Sequence, residues 1–393
     1  MELRNIANAI GVETYPEELE AVFAALPCSD APACDLALID KLQEEWNFFA
    51  EFYPLVRETA EAVNRDENRS LWVKTAVAYD ISRTVKEAKR VPVPKADGTQ
   101  VTALLPLYIL LPMFPMAIDE YARRGFSREE IARIMAGIPG GIRIVKEQTE
   151  LPGVNQTYYG WLMLFAKARI FYADQLQIEL FQSPSHVVYL KHKVTGQLVP
   201  VFYDTFLHRS GENLLGSVGY EDVEGAIAAK FREDAENFHG YACVDDVIDT
   251  EEKVFPKAEW EAHLRPGDDC LNMHIPRGTD ISVPAMLRYF ELGRKIAKER
   301  YPEHRGDAIY ALSWILDPKL EDIMGPDSNI VKMLKLFVKY PQKTDGNHMF
   351  AFVFGGKPNN YEELPEKSTL QRGLKKLLLS GGHNYPHAGI YRD

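Results

Sequence analysis

Residues 158–180 read YYGWLMLFAKARIFYADQLQIEL, and the periodicity of the apolar residues changes inside this stretch. Up to about Tyr172 they recur at the spacing of a buried helix. From Gln175 to Leu180 they alternate strictly with polar residues (Gln175-Leu176-Gln177-Ile178-Glu179-Leu180), as in a strand with one covered face. The change divides the chain into an all-helical part, residues 1–171, and a part of mixed strands and helices, residues 172–393. The expected class is therefore α+β, with a helical N-terminal domain followed by a mixed α/β domain.

Toward the N-terminus the signals are helical. Thr14 and Glu17 have the spacing of a capping box ahead of Leu19, Val22, Phe23 and Leu26. One long helical pattern covers about 35–63, with Leu38, Leu42, Trp46, Phe49 and Phe52 on one face and Pro54 as a kink. A further helix is expected over 71–88. Pro92, Pro94 and Asp97-Gly98 then mark a loop. Ser127 and Glu130 make a second capping box, and Pro139-Gly140-Gly141 should break the helix that follows.

Toward the C-terminus, 186–192 and 199–207 continue an antiparallel meander, and an acidic helix is expected over 221–238. A strand follows at 271–275 and a helix from Pro284 to Arg300, opened by its proline. Segments at 308–315, 319–324, 330–337, 349–354 and 368–379 then alternate between strand and helix. The apolar 349–354 reads as a strand.

The 393 residues are 46% hydrophobic and 26% charged, the composition of a folded chain, with a formal net charge of −12. That charge opposes sequence-independent binding to nucleic acid. The densest basic run, Lys86, Lys89, Arg90 and Lys95, reads as a solvated surface. The uncharged run from Val101 to Ile118 contains Pro106, Pro112 and Pro115, which favours a buried helix over a membrane span. Four cysteines without a CxxC pair, and an N-terminus unlike a secretory signal, point to a cytoplasmic protein with no membrane partner.

Three segments carry candidate chemistry: His274-Ile275-Pro276-Arg277-Gly278, Ser313-Trp314-Ile315-Leu316-Asp317-Pro318 and Asp327-Ser328-Asn329-Ile330. With Leu176-Gln177-Ile178-Glu179 they resemble the C-terminal domain of the GNAT-like acyltransferase family. The pattern there is H-I-P-x-G, then H-S-W-L-L-D-P-x-L, then S-N-I, with L-Q-F-E on the opening strand. The resemblance covers roughly 172–393, and the preceding helices look like that family's N-terminal companion domain. It implies transfer of an acyl group from acetyl-CoA or a longer acyl-CoA to a small-molecule amine, without a metal. One position departs from the pattern: Leu312 stands where the family often has His before Ser-Trp.

Direct transfer from a thioester to an amine needs a base for the amine, donors for the oxyanion and backbone N–H groups for the pyrophosphate. His274 is the expected base, with a structural histidine as the competing reading. Ser313 and Asp317, near a strand end, join it as catalytic candidates, although Asp317-Pro318 also reads as a helix cap. Arg277, Gly278 and Trp314 are expected to bind the coenzyme. So are Gly355, Gly356 and Lys357, because a strand, a glycine loop and a helix in that order form a phosphate cradle. His383 and His387 flank Pro386, which forbids the helix that would align them on a metal. A non-catalytic acyl-CoA binder that lost its base, and a protein-interaction scaffold, are the alternative functions.

Overall fold

A computed structural model describes residues 2–27, 31–83, 91–184 and 186–392. The chain forms two compact units, Met1–Phe171 and Tyr172–Asp393.

The first unit is helical, and its breaks have local causes. The long pattern over 35–63 is two helices. Leu36–Trp46, capped by the Asp35 side chain on the Leu38 N–H, ends at Asn47 in the left-handed region. A 3-10 turn at Ala50–Phe52 then leads into Tyr53–Arg65. Pro54 lies in the first turn of that second helix, where a missing N–H costs nothing, so it starts a helix and kinks none. The Ser127 box forms as expected: Ser127 Oγ accepts the Glu130 N–H at 3.2 Å and Glu130 Oε2 accepts the Ser127 N–H at 2.7 Å. Thr14 caps nothing, because the helix starts at Glu18 with no side-chain cap.

Pro139-Gly140-Gly141 lies inside the helix Gly137–Thr149 and does not break it. The proline sits in the first turn, and Gly137 and Gly141 admit the neighbouring helix Gln156–Ala166, while Gly140 faces open space. A Cβ on Gly137 would stand 2.5 Å from the Phe165 ring. Helix Glu67–Ile81 covers the start of the expected 71–88 helix. That helix ends at Ile81 with Ser82 as its C-cap; residues 84–90, with Lys86, Lys89 and Arg90, lie outside the described residues, while Lys95 pairs with Glu13 at 2.6 Å. Gln100–Arg123 has the length and apolarity to cross a membrane, but 72% of its apolar window is buried within the protein.

The second unit is built on a six-stranded sheet: β1 (Ile170–Ala173), β2 (Leu176–Gln182), β3 (Asp269–His274), β4 (Ile309–Ser313), β5 (Phe337–Pro341) and β6 (His387–Tyr391), in the order β1-β2-β3-β4-β6-β5. Strands β3 and β4 pair in parallel; β2 with β3, β4 with β6 and β5 with β6 are antiparallel. A parallel pair needs a crossover, and the helix Val283–Arg300 supplies it. That helix covers the sheet face carrying Ile178. Gly293 allows the approach, since a Cβ there would meet Ile178 Cγ1 at 3.1 Å, and Phe290 packs on Phe337 and Tyr391.

The other face carries Phe181, Cys270, Tyr310, Tyr340, Ala388 and Ile390, which share a core with Val187, Tyr189, Phe202, Leu207 and Leu214. These partners come from the long excursion between β2 and β3, where Val187–His192, Leu198–Phe202 and Trp260–Leu264 form a separate antiparallel sheet. The expected strand over 199–207 is two strands that join different sheets, Leu198–Phe202 and Asp204–Leu207. The expected acidic helix over 221–238 does not form. Strands Ile227–Lys230, Arg232–Glu233 and Asn237–Gly240 occupy it instead. Its acids cap turns: Asp234 Oδ1 accepts the N–H groups of Glu236 and Asn237, both at 2.8 Å, and Asp222 Oδ1 accepts that of Glu224 at 3.0 Å.

Candidate active site

The sheet opens at one point. The β3–β4 ladder pairs Leu271 with Ile309 and Asn272 with Tyr310, and extends no further. Yet β3 stays paired with β2 through His274 and Gln177, and β4 stays paired with β6 through Ser313 and His387. Beyond Asn272 and Tyr310 the two parallel strands therefore part at their carboxyl ends. The wedge between them is edged by residues 273–274 and 311–313, which lie beyond the last pair of the β3–β4 ladder. Unpaired strand edges are templates for an extended, amide-bearing chain, and carboxyl ends of parallel strands are where α/β sheets bind ligands.

His274 stands at the edge of this wedge. Alternation along the strands puts Asn272 and His274 of β3, Gln177 and Glu179 of β2, and Tyr310 and Leu312 of β4 on the same face. His274 Nε2 lies 2.9 Å from Glu179 Oε2, and Asn272 Nδ2 donates to the same oxygen at 2.9 Å. Asn272 Nδ2 is also 3.3 Å from the ring nitrogen. Gln177, cross-strand from His274, donates to the Tyr172 hydroxyl at 2.9 Å. The Glu179 side chain is 12% exposed and that of His274 29%, so the imidazole reaches solvent while its carboxylate partner is largely covered. Leu312 is 43% exposed, an apolar group on the other lip of the wedge.

The remaining expected catalytic residues do not gather there. Ser313 follows Leu312 in β4 and so points to the opposite face from His274, where its hydroxyl accepts the Ile315 N–H at 3.3 Å to cap a 3-10 turn. Asp317 is buried and serves as a clamp. Its Oδ1 accepts the Lys319 N–H at 3.0 Å, and its Oδ2 accepts the Asn384 side-chain amide at 2.8 Å and the Tyr385 N–H at 2.7 Å. Burial pushes its carboxyl up to about 6, with those N–H groups opposing. Asp317 is not the N-cap expected of it: the helix Leu320–Met324 has Lys319 as its N-cap without a side-chain cap, and Asp317 instead ends the 3-10 turn Trp314–Leu316. The carbonyl of Trp314 accepts a second bond from Asn384, at 3.1 Å.

Arg277 and Gly278 lie in the loop between β3 and the helix Val283–Arg300, which is the strand, loop and helix order of a phosphate site. Gly278, with φ +87°, has open space where a Cβ would be. Gly355, Gly356 and Lys357 have lost the strand expected before them. Residues Phe350–Val353 are a short helix, with Val353 N–H on Met349 O and Phe354 N–H on Phe350 O, both at 2.9 Å. Gly355, with φ +82°, ends it. The glycines therefore follow a helix end and are not the start of a cradle. His387 is buried, its Nδ1 2.8 Å from the Tyr385 carbonyl, and burial holds its pKa down to about 3. Among the described residues no group of three or more His, Cys, Asp or Glu side chains is arranged to hold a metal.

Glu179 and Asn272 are the site residues that sequence reasoning missed. The available signal was polar residues at covered positions: Glu179 and Asn272 fall in register with Phe181 and Cys270, whose face is core.

A mixed sheet whose parallel pair is joined by a crossover helix and parts at its carboxyl ends is the arrangement that the resemblance to GNAT-like acyltransferases implies. Residues 181–391, more than half of the chain, match the family described as "GNAT-like C-terminal domain", and the chain belongs to that GNAT-like acyltransferase family. Among solved structures, an acyltransferase in complex with decanoyl-CoA and teicoplanin is similar at TM-score 0.65 and 17% identity, covering 100% of this chain and 99% of that one. An acyltransferase in complex with decanoyl-CoA is similar at TM-score 0.66 and 16% identity with the same coverage, and an acyltransferase mutant in complex with octanoyl-CoA at 0.65 and 16%. These likenesses extend over both units and concern the fold. No curated protein matches the chain by sequence.

Proposed function

We propose that this protein transfers an acyl group from an acyl-CoA directly to a small-molecule amine, with residues 172–393 as the catalytic domain and the helical unit as its companion. The observation that carries this reading is the parting of β3 and β4 with His274 at the edge of the opening. The pantetheine arm of coenzyme A is an extended chain with two amides, suited to lie along the strand edges where the β3–β4 ladder ends. Its pyrophosphate would meet the 275–282 loop, where Arg277, Gly278 and the first turn of the helix Val283–Arg300 supply charge and N–H groups.

In this mechanism the amine nitrogen attacks the thioester carbonyl, a C–N bond forms, and backbone N–H groups of the wedge hold the oxyanion. His274 takes the proton from the attacking nitrogen. The C–S bond then breaks, the thiolate leaves and takes a proton from solvent, and His274 returns its own proton to solvent. Neither Ser313 nor Asp317 is given a step, and Gly355, Gly356 and Lys357 are not assigned to the coenzyme. The decanoyl-CoA, octanoyl-CoA and teicoplanin in complex with the similar acyltransferases favour a medium-chain donor and an amine on a sizeable small molecule. The cytoplasm, where acyl-CoA is made, is the expected setting.

A second reading, an acyl-CoA binder without turnover, draws on Leu312, which occupies one lip of the wedge where relatives in the family often carry His. A thermal-shift series with acetyl-, octanoyl- and decanoyl-CoA, followed by a thiol-release assay with a panel of amines, tests both. At a thousandfold excess over Kd, binding should add about 4 kcal/mol of stability. Binding with thiol release supports transfer, and binding without release with any amine supports the second reading. No shift with any acyl-CoA removes both.

A further inference from the structure

We propose that Glu179 is a positioning residue for His274, and that Asn272 holds Glu179 in place; this rests on the reading of His274 as the base. The three side chains share one face of the β2–β3 pair. Glu179 and Asn272 are directly cross-strand, and His274 is one step along the same row. The distances close the cluster: 2.9 Å from Glu179 Oε2 to His274 Nε2, 2.9 Å from the same oxygen to Asn272 Nδ2, and 3.3 Å between the two nitrogens.

The chemistry of the partners sets their protonation. An ionised carboxylate only accepts, so both nitrogens facing Glu179 Oε2 carry hydrogens. The Asn272 amide is thereby oriented with Nδ2 toward the carboxylate, and the imidazole is held as the Nε2–H tautomer. The lone pair is then on Nδ1, the nitrogen that takes the proton as the C–N bond forms. The imidazolium so produced lies against a carboxylate that is already ordered, largely covered from solvent and fixed by a second donor. The arrangement is a base oriented by a third group, with Asn272 as the brace behind it. Glu179 touches neither donor nor acceptor in this scheme and acts only through His274.

Two measurements test it. In ¹⁵N-histidine NMR of the full-length protein, with His274→Gln used to identify the signal, His274 should show a protonated Nε2 and an unprotonated Nδ1. The reverse tautomer would overturn the assignment even if Glu179→Gln failed to fold. In steady-state kinetics, Glu179→Gln should lower kcat by about one to two orders of magnitude and leave KM for the acyl-CoA within about twofold. Added to His274→Gln it should cause no further loss, because its whole effect passes through the ring. A normal loss in His274→Gln with a further, additive loss in the double variant would refute the role of Glu179 and leave the base reading standing. Full turnover in His274→Gln would remove the base reading itself, and the positioning role with it.

Discussion

The Asp317 carboxylate accepts the Tyr385 backbone N–H at 2.7 Å across 68 residues of chain. Through it the segment after β4 is tied to the segment that enters β6, at the end of the sheet where the wedge opens. Asp317→Ala should strand the buried donors of Asn384 and Tyr385 and cost about 2–4 kcal/mol, measured by denaturant unfolding.

The same carboxyl makes a pH prediction. Folding pushes it up to about 6, whereas in the unfolded chain it titrates at an ordinary aspartate value near 4. The folded state therefore holds the proton more tightly. The contribution of this group to stability is most favourable below about pH 4, declines as pH rises toward 6, and is level above that. Other carboxylates titrate in the same range, so the informative quantity is the stability difference between wild type and Asp317→Ala. That difference should be largest near pH 4 and shrink toward pH 6.5. A difference that grows with pH would contradict the burial of this group as the dominant influence.

Packing beneath the site gives a third expectation. In Gly293→Ala the new methyl would meet Ile178 Cγ1 at 3.1 Å and Cδ1 at 3.4 Å. Better helix propensity is worth about 1 kcal/mol, and overpacking costs about 1–3 kcal/mol, so a net loss of up to about 2 kcal/mol is expected. Ile178 lies between Gln177 and Glu179 in β2, so thiol release should fall as well. Ile178→Val, added to Gly293→Ala, should restore stability; if it does not, helix and strand are not in the tight contact described.

What the sequence disclosed and what it withheld divide by range. The alternation from Gln175 to Leu180 and the proline that opens the helix at Pro284 are local signals, and both elements form. The glycines at Gly355 and Gly356 misled because Met349–Phe354 has a strand's composition, while a left-handed Gly355 and nearby turn contacts favour one turn of helix. The acids over 221–238 suit a helix face and cap turns equally well, and only the strand partners of 227–240 decide between them. His274 was visible as a titratable group in a motif. Its partner was not, because the contact between His274 and Glu179 spans 95 residues, and strand register across such an excursion leaves no local trace. The parting of β3 and β4 is likewise a property of pairing, not of either strand alone.

Leu312 separates the catalytic reading from the binding one. It is exposed, so Leu312→His should change stability by less than about 0.5 kcal/mol. If His274 suffices as the base, thiol release in Leu312→His should stay within about tenfold of wild type, below the ~10² that a new positioned base contributes. A gain of 10² or more would mean that the wild-type chain lacks its base, and would favour the binder.

The last expectation concerns His274 itself. Replacement by Gln keeps the size of the side chain and one donor for Glu179 but removes the group that can take a proton. Acyl-CoA affinity should be retained and turnover should fall by about 10² to 10⁴. A histidine that only satisfies Glu179 predicts a different pattern: about 1–3 kcal/mol of lost stability, with activity following the folded fraction. Both quantities can be read on one sample, from a denaturant melt and single-turnover thiol release at saturating amine. Because His274 is partly exposed and Glu179 keeps Asn272 as a donor, the stability change should be at the low end of that range. A rate that falls only in proportion to folded protein would return His274 to a structural role and shift the search for a base to other groups on the same sheet face.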